Sequence, residues 1–364
     1  IPMNRALLIL ALIPIATRTA SHPEGPVNHG ELTHDVWPLA KKNNWHEGDI
    51  EGYISSKKSD IRAHLKAWHH YIPENAIDHA LIVLIHGTGA ANAGWYSKKG
   101  HAHFEGFLTF AQAHAENTKS IVDCISFGWT GNNTIEDRIG AAKDLATFIN
   151  IVSERYGSIT LVGHSHGSNV ALAASQSLES PVDLILLATP IRTGNETIDP
   201  REGLFSPGKR VASIYNIYSP IDILQQLGSI RSGIKPADLF AMAHSIIAPG
   251  SSRKIAHSVN NSYNIQISLD GIEPGHKEIR RVAPHIAPLI AAIKKSGKTT
   301  GNFDAAIESS SNSVSISEHI SLKDLGFTQR ISWQAYRFVS MLAASMRDFT
   351  SGPLHCEKAD VSIP

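Results

Sequence analysis

The chain has 364 residues, 42% of them apolar and 18% charged, which is enough apolar length for a packed core and too little charge for a disordered chain. Lys plus Arg and Asp plus Glu both number 33, leaving no global basic surface for nucleic acid and no acidic excess for a solvating tail. Two cysteines, Cys124 and Cys356, exclude a multi-bridge scaffold and an all-cysteine zinc site; both read as free thiols, with one bridge as the alternative in an oxidising compartment.

From Met3 the chain runs through Asn4-Arg5, an apolar stretch from Ala6 to Ala16, and Thr17-Arg18-Thr19-Ala20. This is the charged start, apolar centre and small-residue boundary of a secretory signal over residues 1–20, and it predicts a secreted or periplasmic protein. Arg18 departs from the small residue expected before a cleavage site, so an uncleaved anchor or a first helix is the competing reading. Residues 21–79 are polar and mixed, punctuated by Trp37, Trp45, Tyr53 and Trp68, and read as a segment packed on the core.

From Ala80 the character changes. Apolar runs at Leu81 to Ile85, Ile121 to Phe127, Ile159 to Val162, Val182 to Ala188 and Val211 to Tyr218 alternate with helix-length segments. That pattern predicts an α/β core over residues 80–298, with a mainly parallel sheet covered by helices on both faces. Phe104 to Ala115 reads as one helix and Ile135 to Tyr156 as another, the latter opening at Thr134 with Glu136 and Asp137 in its first turn. Tyr263 to Leu269 alternates with polar residues, as a half-exposed strand near a sheet edge does. Residues 223–262 suit a small helical cap, and Lys277 to Lys295 suits a helix that Pro284 and Pro288 must kink or divide. Within residues 299–364, Thr299 to Ser317 reads as a Ser-rich linker and Ile331 to Phe349 as an amphipathic helix that docks on its own domain, with dimerisation or contact with a membrane surface as the alternatives.

Gly163-His164-Ser165-His166-Gly167 follows one apolar run and precedes a helical one, which fits a sharp strand-to-helix turn that exposes Ser165 as a nucleophile. A serine hydroxyl needs a base, a group that orients the base, and donors for the oxyanion. Upstream, His86-Gly87-Thr88-Gly89 can aim a backbone N–H, assigned to Thr88, at the space above Ser165; the N–H of His166 supplies the second donor. Downstream, Asp222 and His276 each sit in a loop just past a predicted strand, placing a carboxylate and an imidazole at the same sheet edge. His285 is the rival base. Each of these has a plainer reading as a turn, cap or surface residue, but the ordered set Ser165, Asp222, His276 is one known chain order for such a triad.

These motifs resemble the α/β-hydrolase fold over about residues 80 to 295. The resemblance implies a triad at the carboxyl ends of mainly parallel strands and does not fix the substrate. Joined to the N-terminal signal and the apolar segments between Asp222 and Ser262, it leads to the expectation of a secreted, lipase-like serine hydrolase acting on a small-molecule or lipid ester. A catalytically silent binding protein, a peptidase and a thioesterase remain the alternatives on the same fold. No cofactor is expected, and His69, His70, His101 and His103 read as solvated residues rather than metal ligands. Asn132, Asn195 and Asn260 each open an Asn-X-Ser/Thr pattern that a glycosylating source would use.

Overall fold

The computed structural model describes residues 65–98, 100–191, 205–222, 254–255 and 261–318. The signal segment, the body of the cap and the last amphipathic helix lie outside the described residues, as do Asn195, Asn260 and Cys356.

The described chain builds one nine-stranded sheet. In chain order the strands are β1 (Leu65–Tyr71), β2 (Asp78–Ile85), β3 (Ser120–Phe127), β4 (Ser158–His164), β5 (Val182–Leu187), β6 (Val211–Tyr218), β7 (Ser262–Leu269), β8 (Thr300–Glu308) and β9 (Ser313–Glu318). In space they run β1-β3-β2-β4-β5-β6-β7-β8-β9. Every pairing from β3 to β8 is parallel, while β1 runs antiparallel to β3 and β9 antiparallel to β8.

The apolar runs of the central strands split between two faces by period two. On one face Ala80, Ile82 and Leu84 of β2 join Phe104, Phe107 and Phe110 of α1 (Ala102–Thr118) and Leu289 and Ile293 of α4 (Ile286–Lys295). On the other, Leu81, Val83 and Ile85 join Leu145, Phe148 and Ile149 of α2 (Ile135–Val152) and Val170 and Ala171 of α3 (His166–Ser175). A strand buried on both faces has no polar alternation to show, which is why β2 reads as a continuous apolar run.

Helix boundaries follow local chemistry. Thr134 caps α2, its hydroxyl accepting from the Asp137 N–H at 3.1 Å. Lys119 ends α1 in the left-handed conformation at φ 55, letting β3 begin at once. The predicted helix over Lys277 to Lys295 is divided: Glu278–His285 forms a 3-10 segment containing Pro284, and α4 follows. Pro288 falls in the first turn of α4, where its missing N–H has no intrahelical acceptor to lose.

Two readings are corrected at the end of the core. The Ser-rich stretch from Thr299 to Ser317 is not a linker, because it forms β8 and β9, and the sheet continues past residue 298 to Glu318. Phe303, Ala305 and Ile307 alternate inward onto the α4 layer while Val314 and Ile316 pack beside them, so composition concealed a period-two pattern. Nor is β7 half-exposed, since it lies between β6 and β8 and every residue of it except Gln266 and Ser268 is buried. Its polar alternants are accommodated inside the sheet: Asn264 accepts from Asn216 at 2.9 Å and from the Ile255 N–H at 2.8 Å, and donates to the Ile255 carbonyl at 2.9 Å. At the other end, β1 lies within the polar, mixed stretch of residues 21–79, whose sequence carries no sustained period.

The connectivity decides where a site can form. The chain leaves β2 through α1 to β3 on one side, then crosses through α2 to β4 on the other. The order therefore reverses around β2, and the carboxyl ends of β2 and β4 border the crevice where such sheets bind ligands.

Candidate active site

Ser165 sits at that crevice, between the last residue of β4 and the first of α3, with φ 56 and ψ −130. A serine in this region carries backbone strain of about 1–3 kcal/mol and persists only where its surroundings over-determine it. They do so here. The Ser165 N–H donates to the Leu187 carbonyl at the end of β5 at 2.8 Å, and the Ser165 carbonyl accepts from the Ser168 N–H at 3.0 Å. A Cβ on Gly163 would lie 2.5 Å from the Ser168 Cα, and one on Gly167 2.3 Å from the His86 carbonyl oxygen. The glycines two residues either side of Ser165 are therefore close-packing requirements of this turn.

The loop after β2 abuts the same turn. A Cβ on Gly87 would come within 2.8 Å of both the His164 carbonyl oxygen and the Ser165 Cβ. Thr88, next along, has its hydroxyl 2.7 Å from the His166 Nδ1, which brings together the two residues assigned as oxyanion donors. His166 opens α3, where an N–H has no acceptor within its own helix.

Asp222 and His276 are also brought together. His276 Nδ1 lies 2.7 Å from Asp222 Oδ2, with the Asp222 side chain fully enclosed and that of His276 11% exposed. A carboxylate accepts, so the proton of the neutral imidazole is on Nδ1 and its lone pair on Nε2. The His276 backbone is fixed as well, its carbonyl accepting from His164 Nε2 at 3.0 Å, and the two imidazoles stand 4.9 Å apart. His164 directly precedes Ser165, so this bond ties the base loop to the turn that carries the serine. Burial, then the nearby His276 and Arg280, hold the His164 imidazole well below the usual histidine range, so it stays a neutral donor.

The other candidates stand apart from this arrangement. His285, the rival base, pairs its Nδ1 with the Asn312 side chain at 2.6 Å in the turn between β8 and β9. His70 pairs with Asp123, which also accepts from the Tyr156 hydroxyl at 2.6 Å, and His69 meets the Phe104 ring edge-on. His101 and His103 adjoin each other at the start of α1. Among the described residues no group of three or more His, Cys, Asp or Glu is arranged to hold a metal ion. Cys124 is a buried free thiol, its pKa pushed up to about 12 by burial and the neighbouring Asp123. Asn132 is exposed in the loop before α2.

His86 is a positioning residue whose role the sequence does not reveal. Its Nε2 accepts from the Trp129 N–H at 3.0 Å, which puts its proton on Nδ1, 2.8 Å from the Gly87 carbonyl. The Trp129 indole donates back to the His86 carbonyl at 2.7 Å and stacks on the imidazole at 5.5 Å. Nearby, the Gly89 N–H donates to the Gly131 carbonyl at 2.8 Å. The loops after β2 and β3 are thereby clamped, and the first carries Gly87 and Thr88. Burial drives the His86 pKa down to about 4, so the ring is neutral at physiological pH. The only sequence signal was a histidine and a tryptophan in loops after adjacent strands.

Residues 82–246 match the model of the alpha/beta hydrolase family. No curated protein matches the chain. Among solved structures, the mouse alpha/beta hydrolase domain-containing protein 10 is similar at 14% identity, covering 64% of this chain and 94% of its own, with a TM-score of 0.36. An alpha-beta serine hydrolase homologue from Coxiella burnetii shares 11% identity over 61% of this chain and 88% of its own, with a TM-score of 0.34. An esterase from Pyrobaculum calidifontis shares 12% identity over 86% of this chain and 99% of its own, with a TM-score of 0.31.

Proposed function

With an α/β-hydrolase fold as the premise, we propose that this chain is a secreted serine hydrolase of carboxylic esters, acting on a small-molecule or lipid ester through an acyl-enzyme on Ser165. The observation that carries the reading is the His276–Asp222 pair at 2.7 Å, at the same strand ends as a serine held at φ 56.

In this mechanism His276 Nε2 takes the Ser165 proton as Oγ bonds to the substrate carbonyl carbon. The carbonyl oxygen gains the electron pair and is held by the N–H groups of Thr88 and His166. The imidazolium, stabilised by Asp222, passes its proton to the leaving alcohol as the C–O bond breaks. Water then attacks the acyl carbon, giving its proton to His276, and the Ser165 oxygen leaves with a proton from the imidazolium. Chain residues perform every step, and no cofactor enters.

A fluorophosphonate probe tests the nucleophile directly. Ser165 is expected to be the labelled residue in the folded protein, and Ser165→Ala is expected to abolish both labelling and turnover of p-nitrophenyl esters. A folded wild type that resists labelling and cleaves no ester would instead place the chain among catalytically silent binding proteins.

A further inference from the structure

The two N–H groups assigned to the oxyanion come from separate parts of the chain. Thr88 lies in the loop after β2, and His166 opens α3, 78 residues further on. The main chain does not join them locally, so the gap between the two N–H groups depends on how the loop is held against the helix.

The neighbours of Thr88 are held in other directions. The Gly89 N–H donates to the Gly131 carbonyl at 2.8 Å, and the His86 imidazole accepts from the Trp129 N–H at 3.0 Å, so both tie the loop to the one after β3. Gly87 lies so close to the serine turn that a Cβ on it would stand 2.8 Å from the Ser165 Cβ. That packing limits how near the loop comes to Ser165, but repulsion does not hold it there. The contact that draws the loop towards α3 is between side chains: Thr88 Oγ1 stands 2.7 Å from His166 Nδ1. His166 is buried and Thr88 is exposed, so the imidazole is the fixed partner and the hydroxyl belongs to the segment it steadies. A hydroxyl both donates and accepts, so this bond forms with either neutral tautomer of His166 and with the imidazolium.

We propose that the Thr88 hydroxyl and the His166 imidazole are a positioning pair: by tying the loop after β2 to α3 they set the spacing of the Thr88 and His166 N–H groups around the oxyanion, and they carry no proton in the reaction. The assignment rests on the ester-hydrolase reading and deepens it at the same site.

Thr88→Val tests it, because valine keeps the backbone N–H and the branched shape and removes the hydroxyl. It should lower kcat on p-nitrophenyl butyrate about tenfold with little change in KM, less than the 10²-fold or more that follows loss of an oxyanion donor. Affinity for a trifluoromethyl ketone, whose adduct with Ser165 carries the oxyanion, should fall by the same factor, and Thr88→Ser should restore both. His166→Leu also keeps its N–H and should match Thr88→Val, while the double variant should lose about tenfold rather than a hundredfold, since the two side chains make one bond. If His166→Leu does not fold, Thr88→Val and its rescue by serine decide the matter. A kcat in Thr88→Val within twofold of wild type, single losses that multiply in the double variant, or a pH profile of kcat/KM that shifts in either single variant overturns the pair. Amide exchange separates this result from the chemistry. In Ser165→Ala, adding Thr88→Val should speed exchange of the Gly89 N–H about tenfold, as a loosened loop requires. That outcome supports the tie between loop and helix even if the wild type resists fluorophosphonate and cleaves no ester, and unchanged exchange counts against it even if esters turn over.

Discussion

At the scale of single residues, the site depends on which nitrogen carries a proton and on where no side chain fits. Asp222 accepts from His276 Nδ1 at 2.7 Å, which leaves Nε2 basic towards the serine. Asp222→Asn keeps the shape but can offer an amide N–H to Nδ1, favouring the wrong tautomer; kcat should fall by about 10⁴ with little change in KM. Steady-state kinetics on p-nitrophenyl butyrate read this directly, and a loss of less than tenfold would remove Asp222 from its assigned role. Gly87 offers a second test, because a Cβ there would stand 2.8 Å from the His164 carbonyl oxygen and the Ser165 Cβ. Both atoms belong to the rigid turn, so the Gly87–Thr88 loop must give way. Gly87→Ala should cost about 10²-fold in kcat, the scale of losing one oxyanion donor, while thermal unfolding stays cooperative.

At the scale of elements, the runs that bury both faces were legible because burial strips them of polar alternation. The strands β2 to β6 show this. Where burial is one-sided, local composition misled. In β8, Phe303, Ala305 and Ile307 supply the inward face, but Thr300 and Asn302 before them, Asp304 among them, and the serines of β9 read as linker. Position in the sheet was hidden as well: the polar residues of β7 lie in the sheet interior, where cross-strand asparagine bonds satisfy the buried Asn264. The correction has a measurable consequence. Phe303→Ala should destabilise the fold by about 3–5 kcal/mol in denaturant unfolding, as expected for a buried aromatic. A linker residue would cost almost nothing.

At the scale of the whole molecule, buried histidines couple folding to pH. Burial brings His86 and His103 down to about 4, and it lowers His114 and His164 as well. Each binds a proton less readily when folded than when unfolded, so the unfolded chain takes up protons first as the medium is acidified. Their neutral-state stability is therefore present above the ordinary histidine range near pH 6.5 and is lost as pH falls towards about 4. For fully enclosed His86 alone, the loss is on the order of 3 kcal/mol. Urea unfolding between pH 7 and 4 should show stability falling with acid, and His86→Asn should flatten that slope; an unchanged slope would mean that His86 does not titrate through unfolding.

The sequence by itself determined the alternation of buried strands and helices and the strained turn at Ser165, because each is written in a short contiguous stretch, and it placed Asp222 and His276 in loops just past later strands. Tertiary structure supplied the contacts themselves, His276 with Asp222 and Thr88 with His166, and alone decided that His86 meets Trp129 and Arg280 meets Trp95. It also decided that β8 and β9 extend the sheet. These are consequences of strand order and of side chains closing over one another, and no local run of residues records them.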